Sequence, residues 1–241
     1  MYTVNNISII ISAYNAQDYI EECLDSIVKQ TWYNDNNKYE ILLGIDNCDK
    51  TLNIINKIKH KYKNLKVWWF QKNVGPYVVF NTLIQNSNYD VISVFGADDI
   101  MSNNFLEDNL KMMNDKTYVK AMGVNFTKNI DEIKHIKKGT NYCGIILFNK
   151  SDFLGVNGYA NWMCGADTDI NRRFSLIGLK TINCKVVTYY RRIHNNSLTN
   201  NKTYGKGSSY RKDIRNEILH RSSIKKSMND AYVIFEKNNE I

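Results

Sequence analysis

The chain holds one proline, Pro76, among 241 residues, and only four histidines and five cysteines. One proline excludes a proline-rich linker, and no Gly- or Ser-rich stretch, internal repeat or low-complexity tract marks a boundary, so one domain with a tail is expected. The cysteines, Cys23, Cys48, Cys143, Cys164 and Cys184, stand singly, odd in number and without C-x-x-C spacing. That pattern argues against a zinc site or a disulfide framework, and a reducing compartment is expected. No apolar run approaches the roughly 18 residues of a membrane span, and no basic start leads into an apolar stretch with a cleavage site. A soluble, cytoplasmic protein is the expectation, and the Asn-x-Ser/Thr triplets at Asn6, Asn125 and Asn201 are then expected to be unmodified.

What is present is a 43% hydrophobic chain with a formal net charge of +8, enough apolar material for one substantial core. The positive charge is concentrated after Lys180, in "YYRRIH" and "YRKDIRNEILHRSSIKK". A basic tail admits a nucleic-acid or other polyanion binder, which would interleave aromatics with its cations. Here the aromatics are Tyr204 and Tyr210, while Ile214, Ile218, Ile224 and Met228 give the tail an amphipathic character. No nucleic-acid partner is expected. Acceptor binding, peripheral contact with an anionic membrane and a homo-oligomer interface stay open for it.

Strand and helix patterns alternate through the first hundred residues. "NISIIIS", "YEILLGI", "KVWWF" and "VISVF" read as buried strands, and "AQDYIEECLDSIVKQ", "LNIINKIKHKY" and "PYVVFNTLIQ" as the helices between them. Asn15 is expected to cap the first helix, with Asp18 in its first turn, and Pro76 to open the third. Such alternation builds a mostly parallel sheet covered by helices. After Asp99 the pattern changes: a helix "SNNFLEDNLKMM" capped by Ser102, strands "YVKAMGV" and "YCGIILFN", a helix "DINRRFSLIG", a strand "TINCKVVTYY" and two basic helical stretches.

In such sheets ligands sit beyond the carboxyl ends of the strands. There the chain delivers Ser12, Ala13 and Tyr14, then Asp46, Asn73, and the adjacent acids Asp98 and Asp99. Two neighbouring carboxylates repel and need compensation. They are either a polar turn or hard oxygen ligands for Mg²⁺ or Mn²⁺ beside a phosphorylated substrate. Asp167 and Asp169 read as caps of the "DINRRF" helix or as a carboxylate placed to take a proton, and Asp169 is kept as a cap. Trp162 reads as either core or a platform for a sugar ring.

These stretches, in order, resemble family 2 glycosyltransferases of the GT-A fold. "SIIISAYNAQDYIEECLDSIVKQT" is similar to the family's opening "SIIIPTYN…yl…cl.Si..Qt". "EILLGIDNCDKT" stands where "EIivVDDgStD.T" is found, "NVGPYVVFN" resembles "N.G…arN", and "VFGADD" resembles "flDADD". Later, "NGYANWMCGADTDINRRFSLIG" resembles "GGyde…GEDtDl..Rl...G", and "YYRRIHNNSLT" resembles "yR.H..S.t". The resemblance implies a Rossmann-like α/β domain over residues 1–203, with a nucleotide-binding half (1–99) and an acceptor and catalytic half (100–203), followed by a basic extension (204–241).

It also implies roles. Ser12, Ala13 and Tyr14 would line the base pocket, Asp46 would accept from uracil N3–H, and Asn73 would belong to the donor site. Asp98 would contact the ribose, Asp99 would bind Mn²⁺ or Mg²⁺, and Asp167 would be the catalytic base. His194 would reach the metal or the diphosphate, and Arg192 and Ser197 would contact phosphate. Four departures stand out: Ser12 for proline, Phe80 for arginine, Gly96 for the first acid of "DADD", and Ala166 for the Glu before the base. The expected activity is an inverting transfer of a sugar, most simply from a UDP-sugar, to the hydroxyl of a glycan, lipid-linked or protein acceptor. The alternative is a catalytically weak nucleotide-sugar or polyanion binder.

Overall fold

Alternation within the first strand sorts the molecule into two cores. The computed structural model describes residues 3–34 and 36–223. In chain order it has β1 (Asn6–Ala13), α1 (Ile20–Val28), β2 (Lys38–Asp46), α2 (Asp49–Ile58), β3 (Leu65–Phe70), α3 (Pro76–Gln85), β4 (Val91–Gly96), β5 (Ile100–Met101), α4 (Phe105–Leu110), β6 (Thr117–Phe126), β7 (Thr140–Asn149), α5 (Lys150–Gly155), α6 (Ala166–Leu176), β8 (Lys180–Arg192) and α7 (Ser209–Ser223). Ile7, Ile9 and Ile11 join Ile41, Leu43 and Ile45 in one core with residues of α1, α2 and α4, and Ile10 and Leu42 join residues of α3, α5 and α6 in the other. Successive side chains of a strand point to opposite faces, so continuous apolar runs are what a sheet covered on both sides requires.

The eight strands form one sheet in the order β3-β2-β1-β4-β7-β6-β8-β5. β3, β2, β1 and β4 are mutually parallel. β7 runs antiparallel to both β4 and β6, β6 and β8 are parallel, and β5 is antiparallel to β8. The expected mixed, mostly parallel α/β architecture is therefore present. β8 brings its C-terminal end back beside the acids that follow β4, since Ile100 pairs with Tyr190.

Local details differ from the sequence reading. α1 begins at Ile20 rather than near Ala16, because Asn15 takes a left-handed backbone (φ 52°) and the Ala16 N–H is held by Thr51 Oγ1 at 3.0 Å. Asn15 is thus not the cap, and the acids of the first turn are Glu21 and Glu22, not Asp18. Ser102 does not cap α4 either. Its N–H donates to the Thr188 carbonyl and its own carbonyl accepts from Gln30, which ties the segment to β8 and α1 and delays the helix to Phe105. α6 starts three residues earlier than expected, at Ala166, behind Gly165 in the left-handed region (φ 85°). A Cβ there would stand 2.9 Å from Ile214 of α7, so this glycine serves both the turn and the packing of the last helix.

α7 lies against α6: Ile218 is buried, the Arg172 guanidinium donates to the Ile218 carbonyl, and the Tyr210 hydroxyl accepts from the Met163 N–H at 3.1 Å. Tyr210, Ile214 and Ile218 therefore serve intramolecular packing. Ile224, Met228 and the second basic stretch lie outside the described residues. Among the described residues no helix is long and apolar enough to cross a membrane.

Candidate active site

Registry places the polar strand ends together. Ser12 of β1 lies level with Gly44 of β2 on one side and Gly96 of β4 on the other. At about 4.8 Å between strands, the ends of β2 and β4 are about 10 Å apart.

Asp46 closes β2 on the face covered by α3. Helix and strand approach closely, because a Cβ on Gly44 would lie 2.3 Å from Val79. Asp46 is only 2% exposed, and its two carboxylate oxygens accept from the backbone N–H groups of Val74 (2.8 Å) and Gly75 (2.9 Å). It thereby shapes the turn into α3. Ser12 is half-buried, Ala13 buried, Tyr14 54% exposed and Asn73 exposed.

Asp98 and Asp99 fold back over Gly96, whose absent Cβ would stand 3.2 Å from Asp98 Oδ1 and 2.9 Å from Asp99 Oδ2. Glycine at this position thus lets both acids crowd the strand end. Asp99 Oδ1 accepts from the Arg192 N–H at 3.0 Å. Burial, and then the neighbouring Asp98 charge, push the Asp99 carboxyl well above the usual carboxylate range. Asp98 Oδ2 lies 2.9 Å from His194 Nε2, and the His194 ring rests against Tyr19 with centroids 4.7 Å apart. His194 Nδ1 is buried without a hydrogen-bond partner among the described residues.

Arg192 is embedded in protein contacts. Its guanidinium pairs with Glu22 and donates to the Asp98 carbonyl at 3.1 Å, and it stacks over Tyr19 (4.9 Å) and Phe126 (4.5 Å). These contacts organise the two acids from behind. Ser197 Oγ accepts from the His194 N–H at 3.4 Å within the turn that follows β8. Glu22 and Tyr19, which brace this group, carried no sequence signal beyond their place on an amphipathic helix.

Asp167 and Asp169 both lie in the first turn of α6, and neither is its cap; Gly165 holds that position. Asp169 is buried and paired with Arg173 at 2.8 Å, and Arg173 also donates to the Val156 carbonyl at the end of α5. That ion pair fixes the helix. Asp167 is only partly buried, and its Oδ1 accepts from the Thr168 N–H (2.9 Å) and the Tyr77 hydroxyl (3.1 Å). Asn171 donates to the Cys143 carbonyl at 3.2 Å, seating α6 on β7. Trp162 is half-buried and packs on the α3-side core, which Ala166 also enters fully buried. Phe80 packs on Tyr77 and Tyr159 in the same wall.

Asp46 and Asp167 are therefore both tied to the segment that opens α3, one through the Gly75 N–H and the other through the Tyr77 hydroxyl. Tyr77 went unread in the sequence, where a tyrosine in "PYVVF" signals only core.

The profile of glycosyl transferase family 2 matches residues 8–175, more than half of the chain. The chain belongs to that family. It is 36% identical over 111 residues to a dolichyl N-acetyl-α-D-glucosaminyl phosphate 3-β-D-2,3-diacetamido-2,3-dideoxy-β-D-glucuronosyltransferase of Methanococcus voltae, covering 45% of this chain and 34% of that protein. It is 35% identical over 130 residues to the poly(ribitol-phosphate) β-glucosyltransferase of Bacillus spizizenii, covering 49% of this chain and 19% of that protein. The matched segment thus spans about a third or less of the length of these relatives.

Among solved structures, the S. aureus TarS fragment 1–349 in complex with UDP-GlcNAc superposes with a TM-score of 0.64 at 18% identity, covering 80% of this chain and 60% of that one. A mannosyltransferase of Pyrobaculum calidifontis in complex with GDP-Man and Mn²⁺ gives 0.66 at 14% identity, covering 91% and 70%. These likenesses establish the GT-A type of fold.

Proposed function

We propose that the chain is an inverting glycosyltransferase that takes a nucleoside diphosphate sugar, UDP-linked, as donor and an acceptor hydroxyl as nucleophile. The observation that carries the reading is that Asp46, at the end of β2, and Asp167, at the start of α6, are both hydrogen-bonded to the segment Gly75–Tyr77 that opens α3. In this reading Ser12, Ala13, Tyr14 and Asn73 surround the base, Asp46 adds uracil N3–H to the donors it accepts from, and Asp98 faces the ribose. UDP-GlcNAc and UDP bound to TarS, a protein of the same fold, support a uridine donor.

Asp98 and Asp99 fit a divalent cation. Among the described residues no three His, Cys, Asp or Glu side chains gather into a preformed metal cluster. Mg²⁺ and Mn²⁺, however, are commonly held by one or two carboxylates with substrate phosphates completing the shell. Asp99, buried against another acid, is a group whose ionised form such a cation would compensate, and His194 lies beside the pair. Bound there, the cation would neutralise the diphosphate and make it a better leaving group.

The chain's own part is positional. Arg192 and Glu22 hold the two acids in place, and Ser197 and His194 shape the turn at the phosphate side. As the acceptor oxygen bonds to the anomeric carbon, the bond from that carbon to the diphosphate oxygen breaks and the hydroxyl proton passes to the Asp167 carboxylate. One displacement inverts the anomeric centre. Asp167→Asn removes the proton acceptor with little change in shape. Turnover of a UDP-sugar is expected to fall about 10²- to 10⁴-fold with UDP affinity preserved. Undiminished turnover in that variant would refute the assignment, and absence of heat on titrating UDP with Mn²⁺ into the wild type would remove the donor class.

A further inference from the structure

The two oxygens of Asp167 have different surroundings. Oδ1 accepts from the Thr168 N–H at 2.9 Å and from the Tyr77 hydroxyl at 3.1 Å. Oδ2 points toward β7, where a Cβ on Gly144 would stand 3.6 Å from it, an ordinary contact distance. Gly144 is itself only half-buried, and Asp167 Oδ2 is the one atom that such a Cβ would meet within 4 Å. Tyr77 is held on three sides: it belongs to the first turn of α3, two residues after the Gly75 that Asp46 anchors, and its ring packs on Tyr159 (5.2 Å) and Phe80 (6.2 Å).

We infer that Tyr77 is the positioning residue for Asp167, occupying Oδ1 so that Oδ2, over Gly144, is the oxygen that receives the acceptor's proton. The inference rests on the reading of Asp167 as base and extends it to a named oxygen and a direction of acceptor approach. A carboxylate free to spin offers either oxygen in any orientation. Two donors on one oxygen fix the plane of the group and direct the other at the reacting hydroxyl, and a misplacement of the order of 1 Å can cost about 100-fold in rate.

The phenol suits this task. Burial and the adjacent Asp167 charge push it well above the ordinary tyrosine range, so it remains a donor across the working pH of an enzyme. Tyr159, Cys143 and Cys164 also feel the Asp167 charge, and all three are pushed up chiefly by burial and therefore neutral. The nearby cation Arg173 is turned to Asp169. Because Asp46 and Tyr77 act on the same helix start, donor binding at the base pocket and alignment of Asp167 share one rigid element.

The test is a cycle of Tyr77→Phe, Asp167→Asn and the double variant, assayed by UDP release from UDP-GlcNAc with Mn²⁺ and water as acceptor, beside calorimetric UDP affinity. Tyr77→Phe keeps the ring and its packing. It is expected to lower kcat about 10- to 100-fold, the worth of a hydrogen bond to a charged group, while UDP affinity stays unchanged. In the Asp167→Asn background it should cost nothing further, because the two act as one unit. A loss that persists undiminished in that background, or one that follows UDP affinity, overturns the inference, whereas full turnover by Asp167→Asn alone sinks the base and leaves the contact to be judged separately.

Proton NMR of the free enzyme makes that judgement without turnover. A buried tyrosine hydroxyl held by a carboxylate gives an exchange-protected downfield resonance, expected to vanish in Tyr77→Phe and to move in Asp167→Asn; if the wild type lacks it, the contact does not exist. Gly144→Ala checks the direction of approach. Its methyl group beside Oδ2 should lower kcat with UDP affinity intact, and unaltered kcat would rule out Oδ2 as the receiving oxygen.

Discussion

Glu40 and Asp99 are both buried acids on the same sheet, at opposite ends of it, and their surroundings could hardly differ more. Glu40, near the start of β2, accepts from Ser8 Oγ (2.7 Å), Lys66 Nζ (3.0 Å), the Asn88 N–H (2.6 Å) and Asn88 Nδ2 (2.7 Å). Asp99, beyond the end of β4, accepts from one backbone N–H and has another carboxylate beside it. The first acid is complete as it stands and locks the amino ends of the strands together. Burial and the Asp98 charge disfavour ionisation of the second, against the Arg192 N–H and the Arg191 and Arg192 charges that favour it, and under the proposed function a bound cation would complete that compensation. Two residues of α6 differ likewise: Asp169 is buried and paired with Arg173, while Asp167 is only partly buried, its Oδ2 over the half-buried Gly144.

The comparison can be broken most severely at α6. Arg173→Met leaves Asp169 buried without its partner and is expected to cost about 3–5 kcal/mol, since a buried charge stripped of its counterion is not compensated by hydrophobic filling. Urea unfolding of the variant measures it, and Asp169→Leu in the same background should restore much of the loss. Next in size is Glu40→Gln. The amide nitrogen would face donors where a carboxylate oxygen now accepts, so a loss of about 1–3 kcal/mol and a lower melting temperature are expected, with UDP affinity unaltered.

The smallest change in stability, and the one that sharpens the contrast, is Asp99→Asn. A carboxyl whose native pKa is raised binds more protons folded than unfolded between its ordinary value near 3.8 and the raised one, so its contribution to stability is full below that window and is lost as pH climbs through it. In metal-free protein Asp99→Asn should therefore be neutral to stabilising near pH 7 and should flatten the pH dependence of the melting temperature above pH 4. It should at the same time abolish the rise in melting temperature that the proposed function predicts for the wild type with UDP and Mn²⁺. Marked destabilisation of the metal-free variant at pH 7 would place Asp99 with Glu40, as a structural acid.

Much of the site was legible from strand ends. Runs such as "SIIIS" and "VISVF" announce buried strands, and in a parallel sheet whatever polar residues follow them gather at one edge, which brought Asp46, Asp98 and Asp99 into view together. The helix starts were less legible. Asn15 and Ser102 have the chemistry of caps, yet Thr51, Gln30 and Thr188, distant in the chain, hold their neighbourhoods and move the helices downstream. Arg192 had the chemistry of a phosphate ligand, and only its contacts with Glu22, Tyr19 and Phe126 reveal the role it has within the protein.

The sequence by itself determined the alternation of elements, the two-sided burial of the sheet and the family, because apolar periodicity and the order of short motifs are local properties of the chain. The tertiary structure alone decided which acids are satisfied and which are not. Some pairs are local, as Arg173 is to Asp169, but Tyr77 comes to Asp167 and Asn88 to Glu40 from segments tens of residues away, and those contacts at about 3 Å are set by packing that no local pattern encodes.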